Sequence, residues 1–278
     1  MSKEAMRLKA QINNYAKQSG LPAQVILQNF MFERFLERLS RSEYREKFII
    51  KGGVLIANLV GINTRSTMDL DATLQQLQLT DENIKQALEE IINIHLDDNV
   101  VFKFVSLAPI RKDDIFGGRC ARINAKFDTI NTPLSIDIST GDIITPEPIE
   151  YEFGGLFDDD ARIQLLGYNI ETILAEKIET ILSRGVFSTR PRDYYDVYVL
   201  SKTQKYDKSL ALQALEETSK HRGSHDKISD KSAIIKSITQ STELRNMWQK
   251  YQKKFNYAAN ISFENTLQVL EQILNEEK

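Results

Sequence analysis

Residues Cys120 to Phe127 alternate apolar and polar without a break. Ala121, Ile123, Ala125 and Phe127 fall on one side of an extended chain; Cys120, Arg122, Asn124 and Lys126 fall on the other. A period of two marks a β-strand with one face on a core and one toward water. Such a strand cannot bury its apolar face alone, so the pattern commits the surrounding chain to a sheet. Strand candidates flank it at Phe48–Ile50, Asp69–Leu74, Val100–Leu107 and Leu134–Ser139, interrupted by one helix over 81–94. This hairpin-like spacing predicts a mixed or antiparallel sheet, not a long βαβ array.

The rest of the chain follows a helical period. Two amphipathic helices are predicted over 5–18 and 22–39, separated by the breaker Gly20-Leu21-Pro22. A short helix over 54–60 closes on Gly61, a suitable C′ glycine. Residues 141–160 read as a connecting loop with room for a short strand. Helices are then expected near 170–184, 191–202, 208–219, 229–254 and 262–276. The predicted architecture is α+β: a front domain over 1–165 with a helical N-terminal extension, and an all-helical domain over 166–278.

Composition narrows the chemistry. A chain of 278 residues buries enough surface to fold without disulfides or a structural metal. One cysteine, Cys120, excludes a disulfide framework and any Cys-based zinc cluster. Only His95, His221 and His225 are present, so metal chemistry would rest on carboxylates, which suit Mg²⁺ or Mn²⁺ better than Zn²⁺. No apolar run approaches the ~20 residues of a membrane span, and the start shows no signal-peptide core, so a cytoplasmic protein with no membrane partner is expected. The net charge of −3 is unevenly spread: residues 201–260 carry 12 Lys/Arg against 6 Asp/Glu, while the first 200 carry 23 against 29. A basic helical region beside an acidic front is suited to holding a nucleic acid near a metal site. A solvated helix surface accounts for the same bias.

Asp69-Leu70-Asp71 is the strongest local signal for chemistry. Residues i and i+2 of a strand share a face, and two adjacent carboxylates form a site for hard cations. Leaving them together without a counter-charge is costly, so a positive group is expected nearby. Asp137 stands in the core-like strand Leu134-Ser-Ile-Asp-Ile-Ser139, where β propensity disfavours it. Pairing of that strand beside Asp69–Asp71 would make three carboxylates converge on one metal. Gly52-Gly53 opens a helix whose free N–H groups suit a phosphate; a tight strand-to-helix turn explains the pair equally well. Thr64, Arg65 and Ser66 precede the acids, placed to orient a triphosphate or simply to form a polar loop. Lys177 lies in the apolar stripe Ile170, Ile173, Leu174, Ile178, Ile181, where it must snorkel, pair with an acid or reach into a cleft. Pro191 suits the first turn of the next helix, and Asp193 in that turn is favourable for dipole reasons alone.

Together these segments resemble the AbiEii/AbiGii toxin family of nucleotidyltransferases. The resemblance rests on Lys51-Gly-Gly-Val-Leu55, Thr64-Arg-Ser-Thr-Met-Asp-Leu-Asp71, Leu174-Ala-Glu-Lys-Ile-Glu179 and Arg190-Pro-Arg-Asp-Tyr-Tyr-Asp-Val-Tyr198. It spans about 150 residues and weakens beyond 205. It implies a DNA-polymerase-β-like nucleotidyltransferase domain with an appended helical domain, and transfer of a nucleoside monophosphate from an NTP with loss of pyrophosphate. It also implies the toxin half of a toxin–antitoxin pair acting in abortive phage infection, with a cognate antitoxin as partner. Many polymerase-β-like enzymes carry Gly-Ser where this chain has Gly52-Gly53, so backbone N–H groups must replace the serine hydroxyl.

In the mechanism the resemblance implies, Asp69 and Asp71 hold two Mg²⁺ ions, and Asp137 is a third ligand or base. Lys177 neutralises the triphosphate or pyrophosphate. Asp193, and less directly Asp196, orient Lys177 or the nucleotide, with Gly52, Gly53, Thr64, Arg65 and Ser66 around the phosphates. The expected acceptor is RNA, such as a tRNA 3′ end, held by the basic helices. A metal-dependent nuclease and a non-catalytic nucleotide- or RNA-binding module fit the same residues.

Overall fold

The computed structural model describes residues 2–110, 118–158 and 160–275; position 159 of the expected loop and position 276 of the expected last helix lie outside them. The chain forms two compact units, Met1–Gly141 with Ile149–Gly167, and Asp142–Pro148 with Tyr168–Lys278.

The first unit begins with α1 (Lys3–Ser19) and α2 (Ala23–Ser40). The Ser2 hydroxyl caps α1 by accepting from the Ala5 N–H, and Gly20 ends it at φ 69°. There follow β1 (Phe48–Lys51), α3 (Gly52–Val60), β2 (Leu70–Leu74) and α4 (Asp81–Ile92), the last capped by Thr80 with Asp81 and Glu82 in its first turn. Five strands complete the unit: β3 (Val100–Pro109), β4 (Arg119–Phe127), β5 (Ile130–Thr140), β6 (Ile149–Gly154) and β7 (Arg162–Gly167).

All seven strands join one mixed sheet in the order β3-β4-β5-β2-β1-β7-β6. β2 runs parallel to β5 and β1 parallel to β7, and the other pairs are antiparallel. One face is the core: Ala121, Ile123, Ala125, Leu134, Ile136, Ile138, Leu70 and Ala72 are nearly or fully buried there. Helices α2 and α4 cover it, with the Phe35 ring packed edge-on against Phe102 at 6.2 Å. The opposite face of β4 and β5 is polar and only partly covered.

Two features differ from the expectation. The segment read as loop, 141–160, contains β6, the short strand allowed for; β7 follows it at Arg162–Gly167, before the first expected helix of the second domain, where the sequence pattern signals no strand. β6 carries exposed Glu150 and Glu152, the charges of an edge strand, which mask its apolar signal. Gly167 of β7 has no room for a side chain: a Cβ there would lie 2.9 Å from the Tyr151 ring and 3.1 Å from the Ile50 carbonyl.

The second unit is helical: α5 (Ile170–Arg184), α6 (Pro191–Thr203), α7 (Lys208–His221), α8 (Lys231–Gln240), α9 (Thr242–Lys254) and α10 (Phe263–Leu274). The single helix expected over 229–254 is two. The Ser241 side chain accepts from the Leu244 N–H and starts α9 while its own backbone is extended, at ψ 115°. Residues 142–148 belong here because Asn169 donates to the carbonyls of Thr145 and Glu147, while the Thr145 N–H donates to the Thr172 hydroxyl. Trp248, to which the sequence assigned no role, is a core residue whose indole N–H donates to the Ile261 carbonyl.

The principal buried ion pair of the first unit ties α2 to the start of β3. Arg38, 2% exposed, forms two hydrogen bonds to Asp98 at 2.7 and 2.9 Å and donates to the Val100 carbonyl at 2.8 Å. Arg38→Met should lower unfolding free energy by about 3 kcal/mol, because it strands a buried carboxylate. Adding Asp98→Asn should recover part of that loss, since an amide is cheaper to leave unpaired than a charge. Urea melts of the single and double variants check both outcomes.

Candidate active site

Strand register gathers chemistry on the polar face of the sheet. Lys51 of β1 is opposite Asp71 of β2, Asp71 is in register with Asp137 of β5, and Asp137 is opposite Cys120 of β4. In-register neighbours share a face, so these four residues form one row across four strands. The strand pairing on which the third carboxylate depended is therefore present.

Asp69 stands apart from that row. Strand β2 begins at Leu70, so Asp69 lies just outside it, exposed, on the loop that leads in. Its N–H and carbonyl are held by the Thr67 hydroxyl at 3.4 and 3.2 Å. Asp71 is half-buried. Its carboxylate occupies the space a side chain at position 52 would need: a Cβ on Gly52 would lie 2.0 Å from Oδ2. Gly52 also has φ +64°, a left-handed conformation costly for other residues. The Gly53 N–H donates to the same Oδ2 at 3.4 Å, so the α3 N-terminus faces Asp71.

The Thr64–Thr67 segment folds over this turn. A Cβ on Gly53 would lie 2.3 Å from the Thr67 hydroxyl. Arg65 is buried, with Nη1 donating to the Ser66 carbonyl at 2.6 Å; Ser66 is buried and Thr64 half-buried. Asn29 of α2 holds the Thr67 carbonyl at 2.9 Å.

Sequence reasoning asked for a positive group beside the acids without naming it. Lys51 supplies it: its ammonium donates to Ser139 at 2.8 Å, and Ser139 lies 3.0 Å from the Thr73 hydroxyl on the same face. Lys51 stood in the Lys-Gly-Gly motif, but only the β1–β2 register places it opposite Asp71. Burial, reinforced by a hydrogen bond to Asp137 and by its charge, pushes the Cys120 thiol up to about 11. Cys120 is thus a protonated thiol at neutral pH, not a nucleophile.

The expected convergence of Asp69, Asp71 and Asp137 on one metal is not preformed. Among the described residues, no group of three or more His, Cys, Asp or Glu is placed to hold a metal ion. Asp69 lies just before the strand, two residues from Asp71. The donors present still suit Mg²⁺, which is commonly held by one or two carboxylates together with waters and substrate phosphates, not by an all-protein cage. Asp71 and Asp137 in register, with Asp69 at the mouth, are such a set.

In the second unit, Lys177 pairs with acids. From α5 its ammonium reaches Asp193 at 2.8 Å and Asp196 at 3.1 Å, both on α6 and both nearly inaccessible, at 2% and 0%. Asp193 also lies 3.0 Å from the Arg190 guanidinium. Pro191 is at the start of α6 and Asp193 in its first turn, as the sequence indicated. Lys177 is itself 15% exposed, so its ammonium is positioned by two buried carboxylates near the surface of the unit.

No curated protein matches the sequence. Among solved structures, the JHP933 protein of Helicobacter pylori matches with a TM-score of 0.50 at 17% identity, covering 91% of this chain and 93% of that one. A candidate nucleotidyltransferase from H. pylori gives 0.49 at 17% identity, covering 91% and 94%. An antigenic nucleotidyltransferase-like protein from Paracoccidioides brasiliensis gives 0.35 at 12%, covering 87% and 92%. The first of these likenesses speaks to the fold. The family itself comes from sequence: the model of the nucleotidyl transferase AbiEii toxin of type IV toxin–antitoxin systems matches residues 34–269, a span that holds the acid row of the sheet and the Lys177 cluster alike. The chain belongs to the AbiEii family of nucleotidyltransferase toxins.

Proposed function

We propose that this toxin transfers a nucleoside monophosphate from an NTP to an RNA acceptor, with a tRNA 3′ end as the expected target, and so arrests growth during abortive phage infection. The observation that carries the reading is the in-register pair Asp71–Asp137 beside the glycine turn, in a chain of a nucleotidyltransferase family. Asp69 and Asp71 would hold Mg²⁺, or Mn²⁺ in its place, with Asp137 beside them. Such an ion would offset the triphosphate charge and favour the ionised form of the attacking hydroxyl.

The chain's own groups carry the remaining roles. Asp137 accepts the proton of the acceptor hydroxyl as its oxygen bonds to the α-phosphorus and the bond to pyrophosphate breaks. The turn at Gly52–Gly53 and the segment of Thr64, Arg65 and Ser66 shape the floor for the phosphates, with backbone N–H groups replacing a serine hydroxyl. Lys51 limits the repulsion between the carboxylates in the absence of nucleotide. Lys177 provides positive charge for the triphosphate or the departing pyrophosphate, oriented by Asp193 and Asp196.

Incubation with each labelled NTP and total bacterial RNA, with and without Mg²⁺, tests the reading. Label entering longer RNA only with Mg²⁺ is the expected result; shortened RNA would instead indicate a nuclease.

Asp71→Asn keeps the shape beside Gly52 and should remove transfer and growth arrest without lowering Tm. Asp137→Asn should slow transfer about 10²–10⁴-fold, the usual worth of a positioned base. Full activity in either variant would overturn these roles. Lys177→Met should behave differently. It removes the ammonium that two buried carboxylates share and leaves Asp193 with Arg190, so it should destabilise the protein by about 3 kcal/mol as well as stop turnover. Lys177→Arg should restore stability, and denaturant melts alongside turnover would separate the two effects.

A further inference from the structure

The polar face that carries Asp71 and Asp137 extends across β5, β4 and β3 as an open surface. Register aligns Asn131, Lys126 and Val101 at one end, then Pro133, Asn124 and Lys103, then Ser135, Arg122 and Ser106, and finally Asp137, Cys120 and Ala108. Lys103, Arg122 and Lys126 are exposed. Val101 and Val105 are 67% and 59% exposed on the same side, beside a register shift between Phe104 and Ser106. Among the described residues of these three strands, Asp137 is the one acid on that face. Lys103, Arg122 and Lys126 form no ion pair with a described residue. Asp128 lies at the β4–β5 turn, where it accepts from the Ser2 backbone N–H.

A cationic face on a chain of net charge −3 is not general basicity. The helical region carries cations of both kinds. Lys220, Arg222 and Arg245 are engaged by Glu216, Glu176 with Glu179, and Glu264. The other nine Lys between 201 and 260, Lys250, Lys253 and Lys254 among them, form no ion pair with a described residue. What sets the sheet face apart is its continuity with Asp137. Cations without carboxylate partners are the ones available to phosphates.

We infer that the β3–β5 sheet face is the track for the acceptor strand, a single-stranded RNA end whose phosphates meet Lys103, Arg122 and Lys126 and whose terminal hydroxyl is led to Asp137. Charge complementarity and unbroken continuity with the acid row select RNA over a protein partner. Val101 and Val105 offer apolar contact to sugars or bases without reading sequence. Arg122 and Lys126 are four residues apart, about 14 Å along the strand, a length that follows an extended chain and not a single phosphate. The inference rests on the transfer reading above and adds the surface that reading lacks.

The test is a full-length chain carrying Lys103→Glu, Arg122→Glu and Lys126→Glu, with a Gln version should the charge reversal impair folding. Binding of a labelled 20-nucleotide single-stranded RNA and of bulk tRNA is measured against KCl concentration, with NTP binding measured in parallel. The expected result is RNA affinity about tenfold weaker or more at 0.15 M salt, and a log–log salt slope smaller by about 2, since each lost single-strand phosphate contact removes about 0.7. NTP affinity should not change. Unchanged RNA affinity and slope overturn the inference, as does a loss that appears instead only in Lys250→Glu, Lys253→Glu and Lys254→Glu. Intact RNA binding with lost capture of a cognate antitoxin would overturn it in favour of a protein partner. Should the wild type bind RNA through this face yet add no label to it, the transfer reading fails while the face stands.

Discussion

The parallel pairing of β2 with β5 is the interaction on which the site depends. It sets Asp71 beside Asp137 while Leu70, Ala72, Ile136 and Ile138 turn into the core between sheet and helices. A slip of one residue in either strand would exchange the faces, driving a carboxylate into that core and exposing isoleucine. The apolar side of the strands therefore locks the polar side. Gly52 completes the arrangement, since only a residue without a side chain lets the β1–α3 turn come so close to the Asp71 carboxylate.

Both units hold acids in place with a lysine, and by different means. In the sheet, Lys51 lies on the same face as the carboxylates and is tied to Ser139, which shares its surroundings with Thr73. In the helical unit, Lys177 is enclosed by Asp193 and Asp196, both out of reach of water. The lysine stem suits this role because it crosses apolar surface and ends in a compact charge with three donors. Two carboxylates around one ammonium, with the Arg190 guanidinium balancing the second acid charge, fix the lysine in position.

Charge is placed differently on helices and on the sheet. A helix cation meets a glutamate where one recurs three or four residues away, as Lys220 does with Glu216, and otherwise stands without one, as Lys250, Lys253 and Lys254 do among the described residues. On a sheet, the partners of a residue are chosen by register. Opposite Arg122 and Lys126 the chain presents Ser135 and Asn131, so their charge is left for an outside anion.

Much of this was legible in the sequence. The alternation of Cys120–Phe127 specified the amphipathic sheet, Gly20-Leu21-Pro22 separated the first two helices, and Pro191 with Asp193 marked the start of α6, because these depend on local backbone preferences and periodicity. The motifs around Gly52, Asp71, Lys177 and Asp193 pointed to the family for the same reason: they are contiguous. Ser241 carried a local signal too, a capping side chain, but the apolar period on either side concealed it. Tertiary structure alone decided what depends on partners distant in the chain. It brought residue 71 beside residue 137, placed Lys51 opposite Asp71, left Asp69 outside the strand and recruited β7 beside β1. It also turned Lys177, which sequence left between snorkelling, pairing and a cleft, toward two acids on α6. Periodicity tells which side of an element is wet; only the register between elements tells which wet residues meet.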